Sequence, residues 1–425
     1  EEIKTCRVDF AQIPGAVSRM HLAQGRLYAA MLASAEEVEQ LELRLTWLHV
    51  DSGEEWSISE PCERAGLLRF LQDSLERFAH WTDTLAQLRR VRDDSLRRLD
   101  FPHGKFRPGQ REIAELVYKC VHQQGQLMVE APTGIGKTAA ALYPALKALA
   151  AGRHDALVYL TARIVGRRAA EDTLALFRQR GFRGAGLSLT AKEGICLSPG
   201  SACHGDDCPY ARGYYDRLPE AMAAAVALPA LRREELQELA QNFEVCPYQL
   251  GLDLVPWMDL VIADLHYLYS LTPLLGGQME RDGRRWTALL DEAHNLPSRA
   301  RDMYRAELAK AELMAVKRAA PAPLASSLER VNRVLLALGK EVWEEADFDS
   351  RVDLPAELTQ VLQGFTAAVG EQLAADPMSL QRRPALLDFY FKVLQWQRVA
   401  EQWGEDFQFE LHRGRGRQGL RVVLN

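Results

Sequence analysis

At 425 residues the chain exceeds what a single hydrophobic core organises, and roughly two to four domains are expected. No apolar stretch approaches the length of a membrane span and no charged-then-apolar targeting segment opens the chain, so a soluble protein of the reducing cytoplasm is expected, with no membrane partner. A net charge of −6 with a pI near 6.0 excludes general attraction to a polyanion, so any nucleic-acid contact has to come from local basic grooves.

Along the chain, Glu2-Ile3-Lys4 reads as the end of a strand, and His21 to Leu32 as a helix carrying Gln24 and Tyr28 one turn apart. Residues 40–50 alternate Leu41, Leu43, Leu45 and Trp47 with polar residues, a half-buried strand, and 54–59 supply a hairpin partner. Residues 1–62 therefore form a small α/β unit. Residues 63–99 read as a helical linker with a strongly charged, solvated face.

From residue 100 strands alternate with helices. Strand candidates are 126–130, 156–161, 186–190, 259–263 and 286–290; helices are expected near 109–122, 138–150 and 166–180. Such alternation implies a parallel sheet covered on both faces, with ligands at the carboxyl ends of its strands. The run Ala131-Pro-Thr133-Gly134-Ile-Gly136-Lys137-Thr138 then falls between a strand and a helix. That is what a nucleotide's phosphates require: glycines let backbone N–H groups close in, Lys137 reaches the β/γ oxygens, and the Thr138 hydroxyl meets Mg2+. Ala131 stands where the strict pattern has its first glycine.

Four of the seven cysteines follow, Cys196, Cys203, Cys208 and Cys246, in polar, glycine-rich surroundings. Four thiolates hold either a [4Fe-4S] cluster or a tetrahedral zinc, and the absence of paired C-x-x-C spacing favours iron and sulfur. Cys6, Cys62 and Cys120 are isolated and read as packed thiols. Asp291-Glu292-Ala293-His294 then closes a strand ending in Leu289-Leu290. Asp291 would hold the metal and Glu292 would orient the attacking water, so the catalytic group is Lys137, Asp291, Glu292 and His294, and the chemistry is phosphoryl transfer from ATP. Beyond the box helical periodicity dominates to residue 410, with Phe389, Tyr390, Phe391, Trp396 and Trp403 read as core. Arg413, Arg415 and Arg417 read as a solvated hairpin loop, and residues 420–424 as a strand returning to the parallel sheet.

A phosphate loop, four cysteines and a DEAH box followed by a helical stretch resemble the iron–sulfur helicases of superfamily two, the XPD/Rad3 and DinG group, across residues 100–425. The resemblance implies an α/β, RecA-like P-loop motor domain at 100–195 and 247–299, a cluster domain at 196–246, a helical arch at 300–410 and a return strand at 411–425. It implies that Phe106, Arg107 and Gln110 recognise adenine, that Thr161, Arg163, Arg167, Tyr267 and Tyr269 contact single-stranded DNA, and that ATP, Mg2+ and a [4Fe-4S] cluster are the cofactors. The implied activity is 5′-to-3′ unwinding of duplex or forked DNA in repair or processing. The second motor lobe is expected after residue 425, so little ATPase activity is expected of residues 1–425 alone.

Residues 1–62 resemble the latter part of RecB-like PD-(D/E)XK nucleases. By that resemblance Glu2 binds a divalent metal, Lys4 positions water, and Gln24 and Tyr28 touch substrate; the aspartate that completes such a site would precede Glu2. Two competing readings are a nuclease–helicase fusion whose main output is cleavage, and a zinc-bearing, nucleotide-switched DNA-binding protein.

Overall fold

The computed structural model describes all residues except 8, 14, 202, 204, 206, 343–346, 377, 378, 381 and 414–418; Arg415 and Arg417 lie outside the described residues. Two compact units divide the chain: Glu1–Leu265 with Leu275–Ala293, and His266–Leu274 with His294–Asn425. No helix among the described residues is long and apolar enough to cross a membrane.

The first unit begins with a three-stranded sheet, β1 (Glu2–Cys6), β2 (Gln40–His49) and β3 (Glu55–Glu63), in that order. β1 runs parallel to β2, opposing Lys4 to Trp47, and β3 closes the hairpin. The alternation of β2 drives Leu43, Leu45 and Trp47 inward. Helix α1 (Gly15–Ala35) crosses from β1 to β2, with Gly25 placed where a β-carbon would meet Leu43 Cδ1 at 2.9 Å.

Helix α2 (Arg64–Arg98) fills the expected linker, but its last turns are not solvated. Leu96 is fully buried and, with Leu99, belongs to the motor core. Arg92, itself buried, pairs with Asp259 at 2.5 Å, and Trp81 meets Trp257 edge to face with centroids 5.4 Å apart. Lys147 Nζ donates to Leu96 O at 2.7 Å. A charged helix face conceals such anchoring because the three apolar or paired contacts are spread over five turns.

The second sheet is all parallel: β4 (Ala156–Thr161), β5 (Gly186–Ser188), β6 (Ala230–Leu231), β7 (Leu260–Asp264) and β8 (Trp286–Leu290), ordered β6-β5-β7-β4-β8. Every residue of β4 is buried, as its continuous apolar run requires of a central strand. Helices α3 (Gln110–Gln123) and α4 (Lys137–Ala150) precede β4, α5 (Ile164–Gln179) links β4 to β5, and all three contribute to one core with β4 and β7. This is an α/β fold on a five-stranded, all-parallel sheet, as the alternation of strands and helices predicts.

Residues 126–130 depart from expectation. They form no strand, and Met128 is 94% exposed. β8 stands at the end of the parallel sheet, and residues 126–130 do not pair with its outer edge. A second departure is β6, which lies within the expected cluster domain and yet extends the motor sheet at its edge beyond β5.

In the second unit β9 (Ala306–Ala309), β10 (Phe348–Arg351), β11 (Phe409–Arg413) and β12 (Leu420–Leu424) form an antiparallel sheet ordered β10-β11-β12-β9. Residues 300–410 thus keep strand character that helical periodicity had hidden. β12 does not return to the parallel sheet; it pairs with β11 and β9. Closing the short connection from β11 costs little chain entropy, which favours that local hairpin. The helices Lys310–Ala319, Ala325–Val342, Ala356–Ala375 and Pro384–Glu401 share a core with this sheet, centred on Phe365, Phe389, Trp396 and Phe409. Phe391 alone of the aromatic stripe stands in solvent.

Candidate nucleotide site

The loop 131–136 turns into α4 through two glycines in the left-handed region, Gly134 at φ 82° and Gly136 at φ 85°, a conformation that strains any residue with a β-carbon. At Gly136 the space is closed as well, since a β-carbon would lie 2.5 Å from Gln110 Nε2. The first turn of α4 therefore presents its unpaired N–H groups beside Lys137 and Thr138, an anion-binding arrangement. Lys137 Nζ donates to Ala131 O at 3.0 Å, so the lysine folds back over the loop.

Residues 106–110 brace that loop. Gln110 is buried and spans two backbone groups, accepting from Arg107 N–H at 2.7 Å and donating to Ile135 O at 2.6 Å. Arg107 Nη1 donates to Gly134 O at 3.0 Å. Phe106 stacks on Phe101 with centroids 4.0 Å apart. The three side chains expected to read a base are thus engaged with the loop and its neighbours.

Asp291 and Glu292 follow β8, and Asp291 N–H continues the ladder by donating to Leu160 O on β4 at 2.8 Å. Glu292 adopts φ 52°, a left-handed conformation that costs a non-glycine residue energy and that accumulates at functional sites. Burial first, then the neighbouring Glu292 charge, raise the Asp291 carboxyl above the ordinary range; the Tyr159 hydroxyl and the Lys137 ammonium oppose that rise. Tyr159, on β4, joins the two halves of the site. Its buried hydroxyl lies 3.5 Å from Thr138 Oγ1 and interacts with the Asp291 carboxylate, and burial pushes its proton loss far above the ordinary tyrosine value. Lys137, Thr138, Asp291 and Glu292 accordingly act on one another around a neutral phenol at the carboxyl ends of β4 and β8. Tyr159 was invisible as a site residue because it sits inside an apolar strand run; its phenol among Leu157, Val158 and Leu160 was the signal available.

Thr161 ends β4, is buried, and holds Arg163 N–H at 3.4 Å. Arg163, Ile164 and Val165 are exposed at the start of α5, while Arg167 is half-buried with an enclosed Nε that has no hydrogen-bond partner among the described residues. His294, Tyr267 and Tyr269 belong to the second unit. There Tyr267 is buried, burial raises the Tyr269 hydroxyl above its ordinary value, and His294 Nε2 lies 3.2 Å from Asn295 Nδ2.

The cysteine segment is built from α6 (Lys192–Ile195), α7 (Tyr214–Ala227), α8 (Arg233–Phe243) and α9 (Pro247–Leu254). Cys208 is buried, Cys196 and Cys246 half-buried, and Cys203 exposed. The Lys192 ammonium bonds to the Cys203 sulfur, with Cys196 and Cys246 also in its field, and this holds it charged. Burial, with Cys203 and Cys208 nearby, pushes the Cys246 thiol up. The four thiols share one neighbourhood, but among the described residues no three His, Cys, Asp or Glu side chains are gathered so as to grip an ion.

In the N-terminal unit the four expected residues form one connected set. Lys4 Nζ lies 2.7 Å from Glu2 Oε1 and donates to Gln24 Oε1 at 2.8 Å, and Gln24 Nε2 donates to Tyr28 OH at 3.0 Å. His21, one turn before Gln24, faces the same charges: burial first, then Lys4, lower its pKa, and Glu2 opposes them. Its i, i+3 spacing to Gln24 was the overlooked signal.

Comparison with known proteins adds a family to this geometry. The DEAD/DEAH box helicase profile matches residues 107–192 and the DEAD_2 profile residues 186–313. The chain is 22% identical over 231 residues to the general transcription and DNA repair factor IIH helicase subunit XPD of Arabidopsis thaliana, covering 46% of this chain and 30% of that protein. It is 22% identical over 288 residues to regulator of telomere elongation helicase 1 of Rattus norvegicus, covering 56% and 21%. The chain thus spans less than a third of the length of these relatives. A solved XPD helicase structure aligns over 75% of this chain and 54% of its own, with a TM-score of 0.45 and 14% identity. Residues 107–313, the segment that carries both the phosphate loop and the acidic box, thus match DEAD/DEAH box and DEAD_2 helicase domains, and the chain is similar there to XPD-like helicases.

Proposed function

We propose that the full-length protein is an ATP-driven DNA helicase that moves 5′ to 3′ along one strand and opens duplex or forked DNA, and that this chain holds its nucleotide-binding motor lobe. The observation that carries this reading is the meeting of Lys137, Thr138, Asp291 and Glu292 around Tyr159. Lys137 releases its bond to Ala131 O and turns to the β/γ-phosphate oxygens, where its charge answers theirs. Thr138 and Asp291 are the residues that would hold Mg2+, which when bound neutralises developing phosphate charge. Glu292 orients the attacking water and receives its proton. Gln110 and Arg107 keep the loop in its cradle, and for Gln110 to read adenine it gives up its bond to Arg107 N–H or to Ile135 O. In the first unit Thr161, Arg163 and Arg167 contribute hydrogen bonds and backbone charge to single-stranded DNA, and in the second unit Tyr267 and Tyr269 contribute stacking.

Cys196, Cys203, Cys208 and Cys246 are the residues that would hold a [4Fe-4S] cluster. Cys203, Cys196 and Cys246 lie in the field of the Lys192 ammonium and Cys208 acts on Cys246, a set of thiols that would suit that group. Bound there, it would pin a loop-rich segment into a rigid edge against which duplex is parted.

In the full-length protein Lys137→Ala should abolish ATP turnover and unwinding while leaving the fold intact. Retained unwinding would overturn the site. Iron with matching sulfide in anaerobically purified protein supports the cluster, and zinc without iron favours the nucleotide switch. A second reading rests on the connected Glu2, Lys4, Gln24 and Tyr28: cleavage of DNA that survives Lys137→Ala and is lost in Lys4→Ala would make the nuclease-like unit the output of the protein.

A further inference from the structure

Two features around Asp291 lie outside the residues that would contact phosphate or metal. The first is the phenol of Tyr159. This side chain is packed into the motor core beside Leu142, Leu146 and Ile262, and phenylalanine would fill the same space. A buried hydroxyl is costly unless it finds partners, and the partners it has are Thr138 and Asp291, one from each half of the nucleotide site. The second is Gly166 in the first turn of α5. A β-carbon there would lie 2.1 Å from Thr161 Oγ1 and 2.9 Å from Asp291 Oδ2, both too close for any other residue without movement. Its φ does not demand glycine; the close approach does. The segment that follows β4 therefore touches the carboxylate directly, and that same segment exposes Arg163, Ile164 at 69% and Val165 at 76%. Thr161 is tied in turn to Arg163 by its hydroxyl.

We propose that Tyr159 and Gly166 are positioning residues through which single-stranded nucleic acid, held by residues 161–167, sets the place of the Asp291 carboxylate and so the rate of ATP hydrolysis. The proposal rests on the function argued above. Occupation of the exposed segment displaces Thr161 and the first turn of α5, and neither can shift without pressing on Asp291, because the contact at Gly166 leaves no slack. Tyr159 holds the other side of the carboxylate against Thr138, so the displacement alters the distance between the two groups that flank the metal rather than moving them together. Coupling of this kind needs a contiguous packed contact with two arrangements, and a glycine contact between a ligand-binding turn and a carboxylate supplies it.

The test measures ATP turnover by the full-length protein across a Mg2+ series, with and without single-stranded DNA, for the parent protein, Lys137→Ala, Tyr159→Phe and Gly166→Ala. Binding of a fluorescent ATP analogue and the thermal midpoint are recorded alongside. Tyr159→Phe is expected to keep its thermal midpoint and analogue affinity, to lose about 10-fold in kcat and to need several-fold more Mg2+ for half-saturation. Gly166→Ala is expected to lose most of the stimulation by DNA, and Gly166→Ala with Thr161→Ala, which removes the 2.1 Å contact, to recover more of its DNA-free turnover than Gly166→Ala alone. Parent-like kcat, Mg2+ dependence and DNA stimulation in Tyr159→Phe would overturn the proposal, and this variant decides alone if Gly166→Ala does not fold. Turnover that persists in Lys137→Ala would instead overturn the function on which the proposal rests.

Discussion

At the end of β1, Glu2, Lys4, Gln24 and Tyr28 satisfy one another through direct bonds of 2.7 to 3.0 Å. At the ends of β4 and β8, Lys137 is folded onto its own loop, Asp291 is pushed towards its protonated form, and Glu292 is held in a left-handed conformation. The first set has its charges already answered, so a ligand entering there has to displace an ion pair. The second sets two mutually repelling carboxylates in the field of an ammonium, an arrangement that a phosphate and a cation would suit. The difference teaches that proximity of expected residues is not by itself evidence of work: mutual repulsion that shifts a carboxyl, as at Asp291, points more directly to a functional site than an ion pair does.

Three substitutions break or sharpen the contrast. Glu292→Gln removes the water-orienting carboxylate and relieves the repulsion on Asp291; ATP hydrolysis by the full-length protein should fall roughly 100- to 10,000-fold with nucleotide binding retained, read by single-turnover kinetics and analogue titration. Arg92→Ala tests whether the helix between the two sites is anchored. It leaves Asp259 enclosed without its cation, and the motor's unfolding transition in denaturant should lose about 3–5 kcal/mol. An unchanged transition would mean that α2 is a free strut. Lys4→Ala probes the closed network itself. The pair is only partly buried, so the loss in stability should stay below about 1 kcal/mol; a loss above about 3 kcal/mol would mark the set as a structural brace.

Much of the motor was legible because its signals are local. The glycines before Lys137, the buried run of β4 and the Leu289-Leu290 entry to Asp291 each carry their meaning within a few residues. The failures are those of non-local competition. Residues 126–130 have a strand's composition, but composition does not decide pairing, and they join neither end of the parallel sheet. β12 has the composition to join either sheet and goes to the one whose neighbour, β11, precedes it in the chain. β6, two residues long, lies below what alternation can reveal. In the candidate site the residues expected at phosphate and metal stand out by type, whereas Tyr159 and Gly166 are seen only through what they touch across the fold. The two resemblances differ likewise: residues 107–313 are matched by helicase profiles, while the nuclease-like reading of residues 1–62 stands on four side chains and their bonds.

The central claim is that one metal–nucleotide complex is gripped jointly by the loop before α4 and the acid after β8. Electron paramagnetic resonance of Mn2+ in place of Mg2+, titrated into the full-length protein with a non-hydrolysable ATP analogue, tests it directly. One nucleotide-dependent Mn2+ is expected in the parent protein, and Thr138→Ala and Asp291→Asn should each weaken it by at least about 10-fold. Parent-like Mn2+ binding in Asp291→Asn would contradict the account, since the acidic box would then have no part in the site.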